Sequence, residues 1–372
     1  MKYLILDNDS NNLYRFRKEL MERLLHEGNE IYAVVPFEAF VDELQALGVR
    51  VIEQGMNRRG KNPFQELRLF WDYKRVIKRI SPDKIITYTI KPGIYGGLLA
   101  QKRGIPYVAN ITGLGTSFQR EGLFRSFIVK LWKKALCCAD CVFFENQGNA
   151  QAFLDYGIIS GDKLHVLHGA GVNLSDFPFE KYPEESEQVR FLFIGRVMRE
   201  KGVDELLRAM EHLHLEYPNI MLDIVGQCEE NYEAELQQWQ KKGFVKYHGF
   251  QRDVKPYIKQ AHVSVLPSYH EGMANVLLES AAMGRPLITS NIHGCMEAVL
   301  EGETGFLCEV KNAQSLVEQM ERFIQLPYEQ RQKMGQRSHE FVAEHFDKNK
   351  VVRETMDLLE RGIEQGNQKN RR

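Results

Sequence analysis

Along the first half of the chain, apolar positions follow one rhythm: a short continuous run, a turn, then a stretch with three- and four-residue spacing. The runs 3–6, 31–35, 51–53, 84–88, 107–110, 141–145 and 164–167 predict strands. Stretches such as 14–26 and 63–80 predict helices, and Pro63 suits a first helical turn, where its missing N–H leaves nothing unsatisfied. Continuous apolar strands alternating with helices imply a parallel sheet covered on both faces. A stretch rich in Gly, Pro, Asp, Glu and Ser follows over 169–187, and the rhythm restarts with 191–194, 221–225, 245–247, 263–266 and 286–289.

The pattern predicts an α/β protein of two doubly wound, Rossmann-like domains. Residues 1–170 form the first and 189–345 the second, with a linker at 171–188. The end of the chain, 346–372, reads as a polar helix able to pack back on the first domain, with a frayed tail. Ligands of such sheets bind outside the carboxyl ends of the strands, and two of them predict a site in the cleft between domains.

The length of 372 residues agrees with two domains. With 49 Lys+Arg against 50 Asp+Glu, the chain is not built as a whole to hold nucleic acid. Charge is nonetheless uneven: residues 50–80 hold nine basic and three acidic side chains. That excess fits an anionic partner, either a phosphorylated substrate or a membrane leaflet, as well as a plain solvated helix face. In 115–136, Phe118, Phe124, Phe127 and Trp132 interleave with Arg120, Arg125, Lys130, Lys133 and Lys134. With Arg58, Arg59, Lys61, Phe64, Phe70 and Trp71 they predict a face resting on anionic lipid. The alternative is an amphipathic helix facing the sheet, with its lysines snorkelling outward.

No apolar run approaches the roughly 18 residues that cross a bilayer. The first residues turn acidic too soon for a signal peptide, so a cytoplasmic location with six free thiols is expected. Cys138 and Cys141 form a C-x-x-C, but Cys228, Cys295 and Cys308 are too scattered to complete a zinc site. Core packing is the expected role, and no metal is expected.

The segment from Pro267 to Pro286 carries the most chemistry. A strand ends at Leu266, a polar loop follows, and a helix begins near Ala274. Loop N–H groups and the helix N-terminus then converge on one spot suited to a phosphate. Glu271 precedes that helix and Glu279 lies within it. Two carboxylates so placed suit a sugar nucleotide, one accepting from sugar hydroxyls and the other from ribose hydroxyls. Two incidental glutamates on a strand–turn–helix remain the alternative. A second cluster follows the first strand of the second half: Gly195 for a tight turn, then Arg196 and Lys201. An arginine fork and a lysine point charge match a diphosphate leaving group, on which charge develops as the bond breaks. Salt bridges to Glu200 or Glu205 are their structural alternative.

These residues resemble the retaining, nucleotide-sugar-dependent glycosyltransferases of the GT-B fold, specifically glycosyltransferase family 4. The resemblance rests on Gly195-Arg196…Lys201-Gly202, Gly249-Phe250, Pro267-Ser268…Glu271-Gly272…Glu279…Gly284-Arg285-Pro286, Gly294…Glu297 and Gly302…Thr304-Gly305. It implies that Arg196 and Lys201 hold the donor diphosphate, Glu271 the transferred sugar and Glu279 the ribose. Backbone amides around Gly272, Met273 and Ala274 would cap the distal phosphate, and Met273, Ala274 and Asn275 would shape the sugar pocket. Arg196, Lys201 and Glu271 are the expected catalytic residues. A UDP-sugar is the preferred donor over a GDP-sugar, and the fold's enzymes generally bind no catalytic metal or other cofactor.

The first half looks like the bacterial branch that extends polyprenyl-diphosphate-linked saccharides for capsule, O-antigen or N-glycan assembly. The resembling residues are Tyr14-Arg15-Phe16-Arg17, the stretch from Thr89 to Gly97, and that from Asn110 to Gly115. Arg17, Lys91, Thr112 and Gly113 would line the opposite wall, with Arg17 and Lys91 meeting an acceptor diphosphate or the donor. Ion pairing on a loop is the alternative for both. Where many members carry a glycine pair after the first strand, this chain has Asp7-Asn8-Asp9-Ser10, residues that also tolerate tight turns. It has no histidine between His26 and His165, so an imidazole base on that wall is not expected. The same gap argues against a sugar-nucleotide epimerase. The lack of a full G-x-G-x-x-G argues against an NAD enzyme, and the lack of a signal against an exported sugar-binding protein.

Overall fold

The computed structural model describes residues 1–54, 63–114, 118, 122–230 and 232–369. The chain divides into two compact units, Met1–Ala170 with Asn349–Arg372, and Gly171–Lys348.

Unit 1 runs β1 (Lys2–Leu6), α1 (Ser10–His26), β2 (Glu30–Val35), α2 (Val41–Ala46), β3 (Arg50–Glu53), α3 (Pro63–Ile80), β4 (Lys84–Tyr88), α4 (Ile90–Arg103), β5 (Tyr107–Ile111), α5 (Leu123–Leu136), β6 (Cys141–Phe144), α6 (Gln147–Asp155) and β7 (Leu164–Val166). All seven strands pair parallel, in the order β3-β2-β1-β4-β5-β6-β7. The order reverses between β1 and β4, where Tyr3 stands opposite both Ile31 and Lys84. Asp9 caps α1 by accepting from the Asn12 N–H at 3.1 Å, so only Asp7 and Asn8 separate β1 from its helix. On one face of the sheet α4 and α5 lie close. A Cβ on Gly93 would sit 2.5 Å from the Trp132 ring, and one on Gly97 would sit 2.6 Å from the Ala135 carbonyl oxygen.

Unit 2 runs β8 (Val189–Ile194), α7 (Val203–Glu216), β9 (Ile220–Val225), α8 (Glu233–Lys241), β10 (Val245–Tyr247), α9 (Lys255–Gln260), β11 (Val263–Leu266), α10 (Asn275–Ala282), β12 (Leu287–Ser290), β13 (Gly305–Cys308), α11 (Ala313–Gln325) and α12 (Tyr328–His345). Its six strands, again parallel, take the order β10-β9-β8-β11-β12-β13, with the reversal between β8 and β11. A last helix, α13 (Lys348–Lys369), returns the chain to unit 1. There Met356 and Leu359 join the core, and the buried Lys84 ammonium donates to the Leu359 carbonyl at 2.9 Å. No described helix is long and apolar enough to cross a membrane.

The segment expected as a linker at 171–188 is built into unit 2. Val172 and Phe177 pack with that unit's core, and the Val172 N–H donates to Phe346 O at 2.8 Å. Its carbonyls at Glu180 and Lys181 accept from the fully buried Arg285 guanidinium at 2.9 and 3.1 Å. The same side chain also reaches the carbonyls of Ile258, Met283 and Lys259. A polar composition therefore hid a segment whose backbone oxygens are spoken for.

The basic and aromatic face is also smaller than expected. Phe118 and Trp132 are core residues, the latter filling the space that Gly93 leaves, and Phe70 is half-buried edge-on to Tyr95. Arg58, Arg59, Lys61 and Arg120 lie outside the described residues. Phe64, Leu67 and Trp71 on α3 and Phe124 and Phe127 on α5 are exposed. Cys141 is buried as expected, but Cys137 and Cys138 are exposed.

Candidate active site

In unit 2 the residues singled out in the sequence stand on the loops after β8 and β11, the two strands where the order reverses. After β8 the chain makes a short 3-10 turn, Arg199–Lys201. After β11 it makes the turn 267–274 that enters α10. The two turns are tied through their backbones, since the Tyr269 N–H donates to Glu200 O at 2.9 Å. The Tyr269 hydroxyl donates to Glu205 at 2.8 Å, and burial followed by that bond raises the phenol to about 12. A third loop props the second turn. Gly294, at φ +91°, lies so close that a Cβ would meet Gly272 O at 2.6 Å, and its carbonyl accepts from the Ala274 N–H at 2.8 Å.

This bracing brings Lys201 and Glu271 into a direct ion pair. The side chains are 16% and 12% exposed, so the pair is shielded yet open to a ligand. Ser268 Oγ donates to the same carboxylate oxygen at 2.8 Å. Glu271 lies within reach of Lys201 because the loops after adjacent parallel strands leave the sheet side by side. Arg196 does not join them. Its guanidinium pairs with Glu229 at 3.0 and 3.1 Å and is 47% exposed. The Val197 N–H donates to Gln227 O and the Glu229 N–H to Val197 O, so the loops after β8 and β9 zip together and carry Glu229 to Arg196. The partners that the sequence offered for these cations, Glu200 and Glu205, are thus not the ones the fold selects.

The expected sugar-pocket residues divide. Met273 and Ala274 are buried and pack with the core of unit 2. Asn275 opens α10 half-buried, with its Oδ1 buried and unpartnered. The Ala274 N–H is already used by Gly294, so it is not a phosphate donor as expected. Among the described residues, no hydrogen bond from the Met273 or Val276 N–H to another residue is found at this turn. Glu279 lies on α10, 6% exposed. Lys311, which no motif marked, stands beside this edge at φ +60° with its ammonium 5.0 Å from the Tyr269 ring.

Unit 1 has its own reversal point, between β1 and β4. Arg17 of α1 bonds Glu145 at 2.5 Å and lies 4.8 Å above the Tyr88 ring. Burial pushes the Tyr88 phenol up to about 12, against the pull of Arg17. Lys91, on the first turn of α4, pairs with Glu66 at 2.6 Å. Thr112 is half-buried and Gly113 borders open space. Beside them, Asn8 Oδ1 and Thr89 Oγ1 are buried without partners, and Thr89 is held at φ +68°. That backbone is strained for a β-branched residue. Neither Asn8 nor Thr89 was marked as a site residue by the sequence. Each follows a strand at the reversal point, and Thr89 opens one of the stretches that carried the family resemblance.

Two family models match the chain. One, described as glycosyl transferase 4-like, covers residues 4–146, and the other, glycosyl transferases group 1, covers 175–341. The chain is 29% identical over 337 residues to N,N'-diacetylbacillosaminyl-diphospho-undecaprenol alpha-1,3-N-acetylgalactosaminyltransferase of Campylobacter jejuni, spanning 86% of this chain and 88% of that protein. It is 25% identical to the capsular polysaccharide biosynthesis glycosyltransferase CapM of Staphylococcus aureus, over 70% of this chain and 73% of that one. Among solved structures, Anabaena HepE in complex with UDP-glucose aligns with a TM-score of 0.78 at 19% identity, covering 97% of this chain and 99% of that one. Two parallel-sheet units, each matched by its own family model, make this chain a glycosyltransferase of the GT-B fold, in the glycosyl transferase 4-like and group 1 families.

Proposed function

We propose that the protein moves a hexose or N-acetylhexosamine, with retention, from a nucleotide sugar to a polyprenyl-diphosphate-linked saccharide. UDP is the preferred nucleotide, and the product would serve cell-surface polysaccharide or glycan assembly. The Campylobacter relative's named substrate supports the acceptor, and the UDP-glucose in HepE supports the donor.

The observation that carries the reading is the Lys201–Glu271 pair at the reversal point of unit 2. In the free protein each charge satisfies the other. A donor diphosphate draws the Lys201 ammonium onto its oxygens and releases the Glu271 carboxylate to accept from sugar hydroxyls. Arg196 parts from Glu229 to fork onto the same diphosphate, and the Met273 and Val276 N–H groups meet the distal phosphate. Glu279 accepts from the ribose. As the anomeric C–O bond breaks, negative charge grows on the leaving diphosphate and positive charge on the sugar ring. Lys201 and Arg196 stabilise the former and Glu271 the latter. The acceptor hydroxyl attacks from the face the diphosphate leaves, and a leaving phosphate oxygen takes its proton. In this proposal the counter-charge comes from side chains rather than a metal ion or other cofactor.

The acceptor belongs to unit 1, where Arg17, Lys91, Thr112 and Gly113 border unpartnered polar atoms. Phe64, Leu67 and Trp71 of α3 and Phe124 and Phe127 of α5 are exposed among Arg68, Lys74, Arg75, Lys130, Lys133 and Lys134. The Lys74 ammonium lies 4.0 Å from the Trp71 ring. Aromatic wedges ringed by cations fit an anionic lipid surface, here the inner face of the plasma membrane.

The test is transfer by Lys201→Ala in the presence of EDTA. Turnover is expected to fall about a thousandfold, the scale of losing one preorganised charge partner, while wild-type turnover survives the chelator. Near-normal turnover with unchanged donor affinity would refute the assignment, and loss of wild-type turnover in EDTA would refute its metal-free part.

A further inference from the structure

The cysteines of the chain divide by exposure. Cys141, Cys295 and Cys308 are buried and Cys228 is half-buried, whereas Cys137 and Cys138 are both exposed. The exposed pair sits where α5 ends. Cys137 still has helical dihedrals, φ −57° and ψ −33°, and its Sγ donates to the Lys134 carbonyl at 3.3 Å. The Lys163 ammonium donates to the Cys137 carbonyl at 2.9 Å, tying this turn to the residue before β7. So held, the two sulfurs stand 3.5 Å apart. Because α5 leads into β6, the pair lies toward the amino end of that strand, while the loops of the reversal point leave the carboxyl ends of β1 and β4. None of the transfer chemistry proposed above uses these thiols.

Adjacent thiols can close on each other or on a third atom, and the geometry separates the two. A direct disulfide is disfavoured, since Cα atoms one trans peptide apart, at about 3.8 Å, are closer than ordinary disulfides span. Thiolate exchange is disfavoured too. Partial burial, then Cys138, raises the Cys137 thiol above its ordinary value, against the pull of Lys163. A bridge through one thiophilic atom fits. With bonds of about 2.3 Å, the length of a metal–thiolate bond, sulfurs 3.5 Å apart subtend about 100° at that atom. That is the angle of a pyramidal, three-coordinate centre with a lone pair. A tetrahedral ion such as zinc needs further ligands, and no group of three or more His, Cys, Asp or Glu able to hold a metal ion is found among the described residues.

We propose that Cys137 and Cys138 form a dithiol site for monosubstituted trivalent arsenicals, the thiophilic class whose third bond is already made to carbon. An arsenic–oxygen double bond meets two S–H groups. Two As–S bonds form, the As=O bond and both S–H bonds break, and the oxygen leaves with the two protons as water. Arsenic and sulfur keep their oxidation states, so the step needs no oxidant or reductant. The product is a ring closed through the 137–138 peptide at the end of α5.

The probe is phenylarsine oxide added to the reduced full chain, read by intact mass and peptide mapping. One equivalent should add at 137–138 with loss of water, leaving Cys228 open to alkylation by iodoacetamide. Dimercaptopropanol should strip it, and mercaptoethanol at equal thiol concentration should not, because the second As–S bond is intramolecular. Cys137→Ser and Cys138→Ser each leave one thiol and should weaken retention about a hundredfold. Their urea midpoints should match the wild type, since both side chains are exposed. Retention in either variant equal to the wild type, or the first equivalent bound elsewhere, overturns the site. Oxidised glutathione supplies the contrasting arm. No disulfide should form between 137 and 138, and its formation would overturn the preference for a bridging atom.

Discussion

The two units share a sheet order but arm their reversal points differently. In unit 2 the cation and carboxylate that meet, Lys201 and Glu271, were both marked by the sequence, and the turns bearing them are joined by the main-chain bond from Tyr269 N–H to Glu200 O. In unit 1 the marked cations Arg17 and Lys91 meet carboxylates that were not marked, Glu145 and Glu66, and buried polar atoms at Asn8 and Thr89 have no partner. The contrast teaches that a cation in a motif is not a free cation. The turns at the unit 2 reversal point are braced against one another, whereas the unit 1 reversal point carries a strained Thr89 and two buried polar atoms without partners.

The largest expected effect tests how firmly unit 2 is braced. Arg285→Met would remove five hydrogen bonds to interior carbonyls, three of which have no other donor among the described residues, and should destabilise unit 2 by about 4 kcal/mol in urea unfolding. Trp239 reports unit 2, and Trp71 and Trp132 report unit 1, so fluorescence from single-tryptophan versions shows which unit loosens. An equal loss in both would break the comparison.

The pH dependence of unit 2 comes next. Burial first, then Arg331, Arg285 and Arg190, lowers His262 to about 4. The unfolded chain therefore binds the extra proton between its ordinary value of 6.5 and 4, and stability falls as pH drops through that window. The loss should approach about 3 kcal/mol by pH 4. His262→Asn, which retains an acceptor for the Arg190 N–H, should flatten this slope.

A pair of glycine substitutions sharpens the contrast at the sites themselves. Gly294→Ala drives a methyl into the carbonyls of Gly272 and Glu271, and displacing that turn should lower turnover about a hundredfold. Gly113→Ala meets no atom within 4 Å and carries only the strain of its φ of +156°, so turnover should fall less than about tenfold. Comparable losses would mean that unit 1 is as tightly framed as unit 2. The smallest effect concerns the outer edge of unit 1. Trp71→Ala should weaken co-sedimentation with anionic vesicles about tenfold and leave donor affinity untouched.

The elements were largely legible. Each predicted strand has its counterpart, and the helix after the 267–274 turn starts where the polar loop gives way. Strand β13 was missed because it is four residues long and begins with a glycine, which reads as a turn. Gly305 is there because its Cα lies against β12, where a Cβ would come within 2.0 Å of the Leu287 carbonyl oxygen. Met273 and Ala274 were read toward the sugar because they border the turn expected to hold a phosphate. Side-chain direction on an irregular turn follows from backbone dihedrals that no periodicity encodes.

What the sequence determined alone is the alternation of buried strands and amphipathic helices, and the residue types that gather at the strand ends. Local hydrophobic period and composition suffice for both. What only the tertiary structure decided is which charge neutralises which. Glu271, Glu229, Glu145 and Glu66 lie 70, 33, 128 and 25 residues from the cations they hold. Such pairings depend on how parallel strands place distant loops side by side, and electrostatic attraction acts on distance in space, blind to separation along the chain.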